Sequence, residues 1–326
     1  MRLRSICLVS FLAFSFLALM GGAGRAGAQE SIATLKPTPE QAARCAKIPG
    51  EARRKFCLLA YSVPGLEFPA RAETARSAFL RMAIFKPEGP GPFPAVILLH
   101  SCASLIESEN MAYWGNELLK AGYVAFIVDS WRQRGFDNGV CAPTPRMPVN
   151  AVYLRLRDAY EALEHLAKFD FVDKKRISAI GASQGGRVIY QAASSGLARV
   201  HAPSGARFAA LVSLYGECYN RSLKQDYVPP NAATPLLALF GDRDEDGDPR
   251  ECLPRLEKLK AAGSPVEWHV FRNVGHVWDE PRFSKRRYVD YVGAPSGRVL
   301  FEYDERATAE SRTRILDFFA ARMPRG

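Results

Sequence analysis

The sequence predicts an α/β fold, a mostly parallel central sheet with helices on both faces. From Phe79 onward, short apolar runs alternate with longer stretches of helical periodicity. The runs, such as Ala95–His100, are almost continuously apolar, as strands buried on both faces are. Strand–helix alternation of this kind implies parallel strands joined by crossovers. The composition agrees: 48% of the 326 residues are hydrophobic and 24% charged. That is ordinary for a globular chain and excludes a disordered, collagen-like or coiled-coil one.

The chain begins outside this pattern. Arg2 and Arg4 precede an uncharged stretch, Ile6–Met20, and small residues ending in Ala26-Gly27-Ala28 follow. Residues 1–28 are therefore expected to be a signal peptide cleaved after Ala28, which makes the mature chain periplasmic or secreted. The apolar stretch is short for a membrane span of about 20 residues. Cys7 lies inside it and follows no lipobox. No stable membrane association is expected after cleavage. Residues 29–75, with Pro37, Pro39, Pro49, Pro64 and Pro69, read as an N-terminal extension, partly helical near Glu40–Tyr61.

Residues 76–326 hold the alternation. Phe79–Lys86 reads as a strand ended by Pro87 and the Gly89-Pro90-Gly91-Pro92 turn. Ala95–His100 is the next strand. Glu109–Ala121 reads as a helix stopped by Gly122. Tyr123–Asp129 is again a buried strand. Val149–Lys168 puts Val152, Leu156, Ala159, Tyr160, Leu163 and Leu166 on one helical face. Arg176–Ile180 reads as a short strand, then a Gly-rich turn and a helix from about Gly186. Phe208–Tyr215, Pro235–Phe240 and Val266–Phe271 are strands, with a helix over Pro249–Ala262 between the last two. Glu302–Met323 closes the chain as an amphipathic helix.

Charge and cysteine bound the function further. Loss of Arg2, Arg4 and Arg25 with the leader lowers the formal +10 by three. The remaining basic residues, Lys285-Arg286-Arg287 among them, are scattered and carry no nucleic-acid motif, so no nucleic-acid partner is expected. The mature chain keeps Cys45, Cys57, Cys102, Cys141, Cys218 and Cys252. An even number in an oxidising compartment favours disulfides, and the residues alone leave the pairing open. Metal-ligand spacing is absent.

In such folds ligands bind at the carboxyl ends of the strands. There the sharpest signal is Gly181-Ala182-Ser183-Gln184-Gly185, between a strand and a helix. In that context Gly-x-Ser-x-Gly marks a strained turn that lifts a nucleophilic serine out of the sheet, with glycines where side chains would collide. A serine hydroxyl needs a base, and the base an orienting carboxylate, in the chain order Ser, acid, His. His100 and His165 precede Ser183. No strand-end carboxylate lies between Ser183 and His201, and His269 lies within a strand. His276 follows the last strand on a turn, so it is the expected base. The acid should follow Pro235–Phe240, where Asp242, Asp244, Asp246 and Asp248 compete; Asp244 is preferred, with Asp242 and Asp246 as alternatives. Asp242-x-Asp244-x-Asp246-Gly247 also resembles the start of a calcium loop, but Leu253 occupies the twelfth position where a Glu is needed. The oxyanion donors are expected to be the backbone N–H groups of Gln184 and Cys102.

With these residues in place, the sequence from Phe79 to Met323 resembles the dienelactone hydrolase family of α/β-hydrolases, especially its exported members. The resemblance rests on Pro94 through Cys102, Tyr123–Ser130, Val172 through Gly186, Tyr215-Gly216-Glu217-Cys218, Gly241 to Asp244, Val274-Gly275-His276 and Tyr303 onward. It implies the α/β-hydrolase fold and a Cys or Ser nucleophile with Asp and His, which fall on Ser183, Asp244 and His276. It also implies disulfides Cys218–Cys252 and Cys102–Cys141, leaving Cys45–Cys57. Dienelactone hydrolase itself has cysteine where this chain has Ser183, and Ser101 replaces the usual glycine of the oxyanion loop.

The expected function is a serine hydrolase that cleaves a carboxylic ester through an acyl-enzyme. It acts on a small-molecule ester and needs no metal or organic cofactor. The alternatives are an amide or peptide hydrolase using the same triad, or a non-catalytic exported binding protein on the same fold. Trp131, Tyr215 and Trp278 lie near strand ends, where they either line an acyl pocket or pack in the core.

Overall fold

The structure is a computed structural model. It describes residues 39–47, residues 82–141 apart from 104, 106–107, 132–133 and 137–138, and residues 151–324 apart from 292. The expected leader, most of the extension and the side chains of a Cys45–Cys57 bond lie outside the described residues. Within the extension, helix α1 (Pro39–Ala46) is described.

The central sheet holds β1 (Met82–Phe85), β2 (Phe93–Leu99), β3 (Val124–Val128), β4 (Val172–Ala182), β5 (Leu211–Leu214), β8 (Leu236–Gly241) and β9 (Val266–Phe271). Their order is β1-β3-β2-β4-β5-β8-β9. Only β1 runs antiparallel, against β3 at one edge; the other pairings are parallel. From β2 the chain steps to β3 on one side and β4 on the other, so the strand order reverses at β2. The crevice beside that reversal is where such sheets bind ligands.

Side chains alternate between the faces of a strand. Ile97 and Leu99 pack on one face with Leu156, Tyr160 and Leu163 of helix α3 (Ala151–Leu166) and Val188 and Ile189 of helix α4 (Gln184–Ala192). Val96 and Leu98 pack on the other with Met111, Trp114 and Leu118 of helix α2 (Glu109–Lys120) and Ile315 and Phe319 of helix α7 (Glu305–Arg322). Both faces of β2 are thus buried, which is why its run lacks polar alternation. Gly122, at φ 80°, turns the chain out of α2 as a left-handed residue must.

The elements lie close to expectation, with informative exceptions. β4 starts at Val172, four residues before the expected strand, because Phe93 pairs with Val172 across a register shift. Helix α4 begins at Gln184, directly after Ser183. A further helix, α5 (Ser195–His201), capped by Ser194 Oγ accepting from Leu197 N–H, lies between α4 and β5. Strands β6 (Tyr219–Asn220) and β7 (Gln225–Asp226) form one small hairpin. Strands β10 (Arg287–Asp290) and β11 (Arg298–Phe301) form another. Helix α6 (Pro249–Ala261) precedes β9, with Asp248 as its N-cap. Among the described residues no helix is long and apolar enough to cross a membrane.

Candidate active site

At the carboxyl end of β4, Ser183 has φ 52° and ψ −114°, a backbone that side-chain-bearing residues rarely adopt. The neighbours enforce it. A Cβ on Gly181 would lie 2.2 Å from Gly185 O, and one on Gly185 would lie 2.1 Å from Leu99 O. Both positions therefore require glycine. The Ser183 N–H is donated to Leu214 O at 2.9 Å, which fixes the turn to β5.

His276 stands on the turn after β9, and β11 holds its backbone. Its N–H is donated to Leu300 O at 2.7 Å, and its carbonyl accepts from Glu302 N–H at 3.2 Å. The ring Nε2 lies 3.0 Å from Ser183 Oγ and Nδ1 lies 2.7 Å from Asp244 Oδ2. A carboxylate at Nδ1 places the proton there, leaving Nε2 as the acceptor for the serine hydroxyl. Burial alone would push the imidazole down. The Asp244 charge and hydrogen bond, with Asp246 beyond, hold it above its ordinary value instead.

Asp244 follows β8. Its Oδ1 accepts from the N–H groups of Asp246 at 2.9 Å and Gly247 at 3.1 Å, which leaves Oδ2 for the histidine. The other aspartates of the segment are occupied elsewhere. Asp242 Oδ1 accepts from Val274 N–H at 3.2 Å. Asp248 caps α6. Asp246 accepts from Arg187 Nη2 at 3.1 and 3.3 Å, with its Oδ2 3.7 Å from His276 Nε2. Among the described residues no cluster of three or more His, Cys, Asp or Glu could hold a metal ion.

Among the described residues, Cys102 is bonded to Cys141 and Cys218 to Cys252. The first ties the loop after β2, which holds the Cys102 N–H, to a segment 39 residues onward. The second ties the chain after β5 to α6 across 34 residues. Gln184 opens α4, directly after the serine.

Of the three aromatic candidates, all are fully buried. Trp278 packs edge-on against Tyr215 and Phe271 and donates its N–H to Ser311 Oγ. Tyr215 packs its ring 4.9 Å from that of His276 and donates its hydroxyl to Asp279 Oδ1 at 2.6 Å. Trp131 packs with Phe136. Of the three, Tyr215 is the one packed against His276.

Sequence reasoning did not single out two arginines. Arg187 stands four residues after Ser183, one helical turn along, and pairs with Glu217 at 3.1 Å as well as Asp246. Burial raises the Glu217 carboxyl to about 7, with Arg187 pulling it down and Asp246 pushing it up. The spacing of four on a helix was the available signal. Arg155 is fully buried on α3 and donates to His100 O, Ser101 O and Gln184 Oε1. It is adjacent to Leu156 in an amphipathic pattern and gave no signal.

A sequence profile of the dienelactone hydrolase family matches residues 80–323. No curated protein matches the sequence significantly. Among solved structures, a thermophilic esterase from Thermogutta terrifontis is 14% identical with a TM-score of 0.55, covering 80% of this chain and 96% of its own. A dienelactone hydrolase-like promiscuous phosphotriesterase from metagenomic libraries is 18% identical, TM-score 0.54, covering 74% and 92%. An α/β hydrolase enzyme from a Medee basin deep-sea metagenome is 16% identical, TM-score 0.53, covering 79% and 98%. At such identities the likeness is one of fold.

Proposed function

Since the chain belongs to the dienelactone hydrolase family and is thereby a hydrolase acting on ester bonds, we propose that it cleaves a carboxylic ester through Ser183, His276 and Asp244. Ser183 Oγ attacks the ester carbonyl as its proton passes to His276 Nε2. The oxyanion accepts hydrogen bonds from the backbone N–H groups of Gln184 and Cys102. Collapse expels the alcohol, which takes the proton from His276, and Ser183 is left acylated. Water then attacks the acyl-enzyme with His276 again as base, releasing the acid and restoring the serine. Asp244 holds the ring and stabilises the imidazolium.

The observation that carries this reading is the unbroken line from Asp244 Oδ2 through His276 to Ser183 Oγ, at 2.7 and 3.0 Å among buried side chains. A second support is a similar structure, the Thermogutta terrifontis esterase 2, which is phosphorylated by paraoxon. The test is a panel of p-nitrophenyl esters of graded acyl length beside the matching anilides. Ser183→Ala should lower ester kcat by about 10⁶-fold, and the esters should be turned over far faster than the anilides. A Ser183→Ala protein with the wild-type esterase rate would overturn the triad. Faster anilide turnover would move the enzyme to amides.

The organisation of the chain belongs to the same proposal. Residues 1–28 serve as the leader, 29–75 as the extension and 76–326 as the catalytic domain, with the mature protein periplasmic or secreted. The Cys102–Cys141 and Cys218–Cys252 bonds suit an oxidising compartment. Terminal sequencing of the exported protein should begin at Gln29; an exported form that retains Met1 would contradict this.

A further inference from the structure

The loop after β2 is held with unusual completeness. Cys102 is bonded to Cys141, and its carbonyl accepts from Val140 N–H at 2.8 Å. The carbonyl before it, Ser101 O, has two partners. Arg155 Nη1 lies 3.3 Å away and His100 Nδ1 2.7 Å away. The Ser130 N–H is donated to His100 Nε2 at 3.3 Å, so the proton of the neutral ring is on Nδ1 and points at Ser101 O. Arg155 Nη2 lies 2.5 Å from His100 O, and Nη1 lies 2.9 Å from Gln184 Oε1.

A trans peptide is planar, with its C=O and N–H on opposite sides. Fixing the Ser101 carbonyl therefore fixes the direction of the Cys102 N–H, away from the guanidinium. The same guanidinium grips the side chain of Gln184, whose N–H is the other donor assigned to the oxyanion. We propose that Arg155 is a positioning residue for the oxyanion hole, its fork locking the loop after β2 to the start of α4 so that both N–H groups converge on one oxygen. This rests on the triad reading and adds a residue to it.

The chemistry of the site supports a task beyond packing. Arg155 is fully buried, the three acceptors named are neutral oxygens, and its Nε has no hydrogen-bond partner. Such a buried charge is costly, and an apolar side chain of similar volume often serves stability as well. What an apolar residue cannot do is bind three acceptors through one rigid planar fork. Lysine, a point charge without the fork, cannot do it either. The Trp131 ring, 5.7 Å from the guanidinium carbon, faces the group with an aromatic surface.

The test compares Arg155→Lys, Arg155→Met and Ser183→Ala with wild type, using p-nitrophenyl acetate and an alkyl trifluoromethyl ketone as tetrahedral analogue. Losing one oxyanion donor costs about 10²–10³-fold in kcat. Both Arg155 variants should lose about 10²-fold in kcat and in affinity for the ketone, with KM within about threefold. A merely structural arginine would lower the melting temperature yet leave the folded fraction with wild-type kcat and ketone affinity. That result in folded Arg155→Lys would overturn the inference while Ser183→Ala stayed inactive. An active Ser183→Ala would overturn the triad reading, and the inference with it. If neither Arg155 variant folds, Gln184→Ala decides, because it removes one arm of the clamp and leaves the backbone N–H. A fall of about tenfold in its kcat at constant KM is expected, and an unchanged kcat would overturn the inference.

Discussion

Ser183 adopts its positive φ because the turn leaves it no other backbone. Strain of that kind costs on the order of 1–3 kcal/mol and persists only where the surroundings over-determine it. Here Gly181 and Gly185 do so, meeting backbone atoms on both sides. The Gly-x-Ser-x-Gly spacing made this turn legible in the sequence, since glycine is demanded by contact with backbone. The choice among Asp242, Asp244 and Asp246 was less legible, because each is an acidic residue at a strand end. Loop geometry separates them, turning one carboxylate to Nδ1, one to Val274 N–H and one to Arg187. On the proposed mechanism His276 must be neutral to accept the serine proton, so kcat/KM should rise with pH through its titration. That limb should lie above the ordinary 6.5, because the Asp244 carboxylate favours the imidazolium. Asp244→Asn should move the limb to lower pH and lower kcat by about 10⁴-fold. A pH–rate profile that keeps its position in the variant would contradict the assignment.

At the scale of elements, the site depends on short segments after the strands, and those were the least legible parts. Buried strands and amphipathic helices declare themselves through period. The β10–β11 hairpin does not: its first strand is mostly exposed, yet its second strand pins the backbone of His276. The segment between His276 and that hairpin holds a buried pair of carboxyls. Asp279 accepts from Tyr215 Oη, Trp114 Nε1 and Asn110 Nδ2, and burial raises its pKa. Glu280 Oε1 accepts from Glu109 N–H at 3.0 Å, at the start of α2. Burial raises the Glu280 carboxyl from 4.5 to about 8. Between those values the native state holds a proton that the unfolded state has released, so this group lowers stability as pH rises. Glu280→Gln keeps the acceptor and removes the ionisation. Its melting temperature relative to wild type should improve between about pH 5 and about pH 8, by ~2–4 °C for each 1 kcal/mol relieved. An equal difference at both pH values would contradict the linkage.

For the whole molecule, the sheet order explains why residues far apart in sequence meet. Strands β2, β4, β5, β8 and β9 are parallel neighbours, so the segments holding Cys102, Ser183, Tyr215, Asp244 and His276 all leave from one rim. Parallel order was inferable from strand–helix alternation, and the dienelactone hydrolase resemblance named the same span that the family profile matches. The Arg155 clamp was not inferable, because a charged residue beside a buried helical face reads as solvated until the neighbouring loop is placed. The reading of this rim as a serine esterase site depends on a nucleophile at residue 183. Labelling folded wild-type protein with a fluorophosphonate and mapping the adduct by mass spectrometry tests it most directly. A single adduct on the peptide containing Ser183, lost in His276→Ala, is the predicted result. An esterase-active preparation that carries no adduct at Ser183, or carries it on another residue, would contradict it.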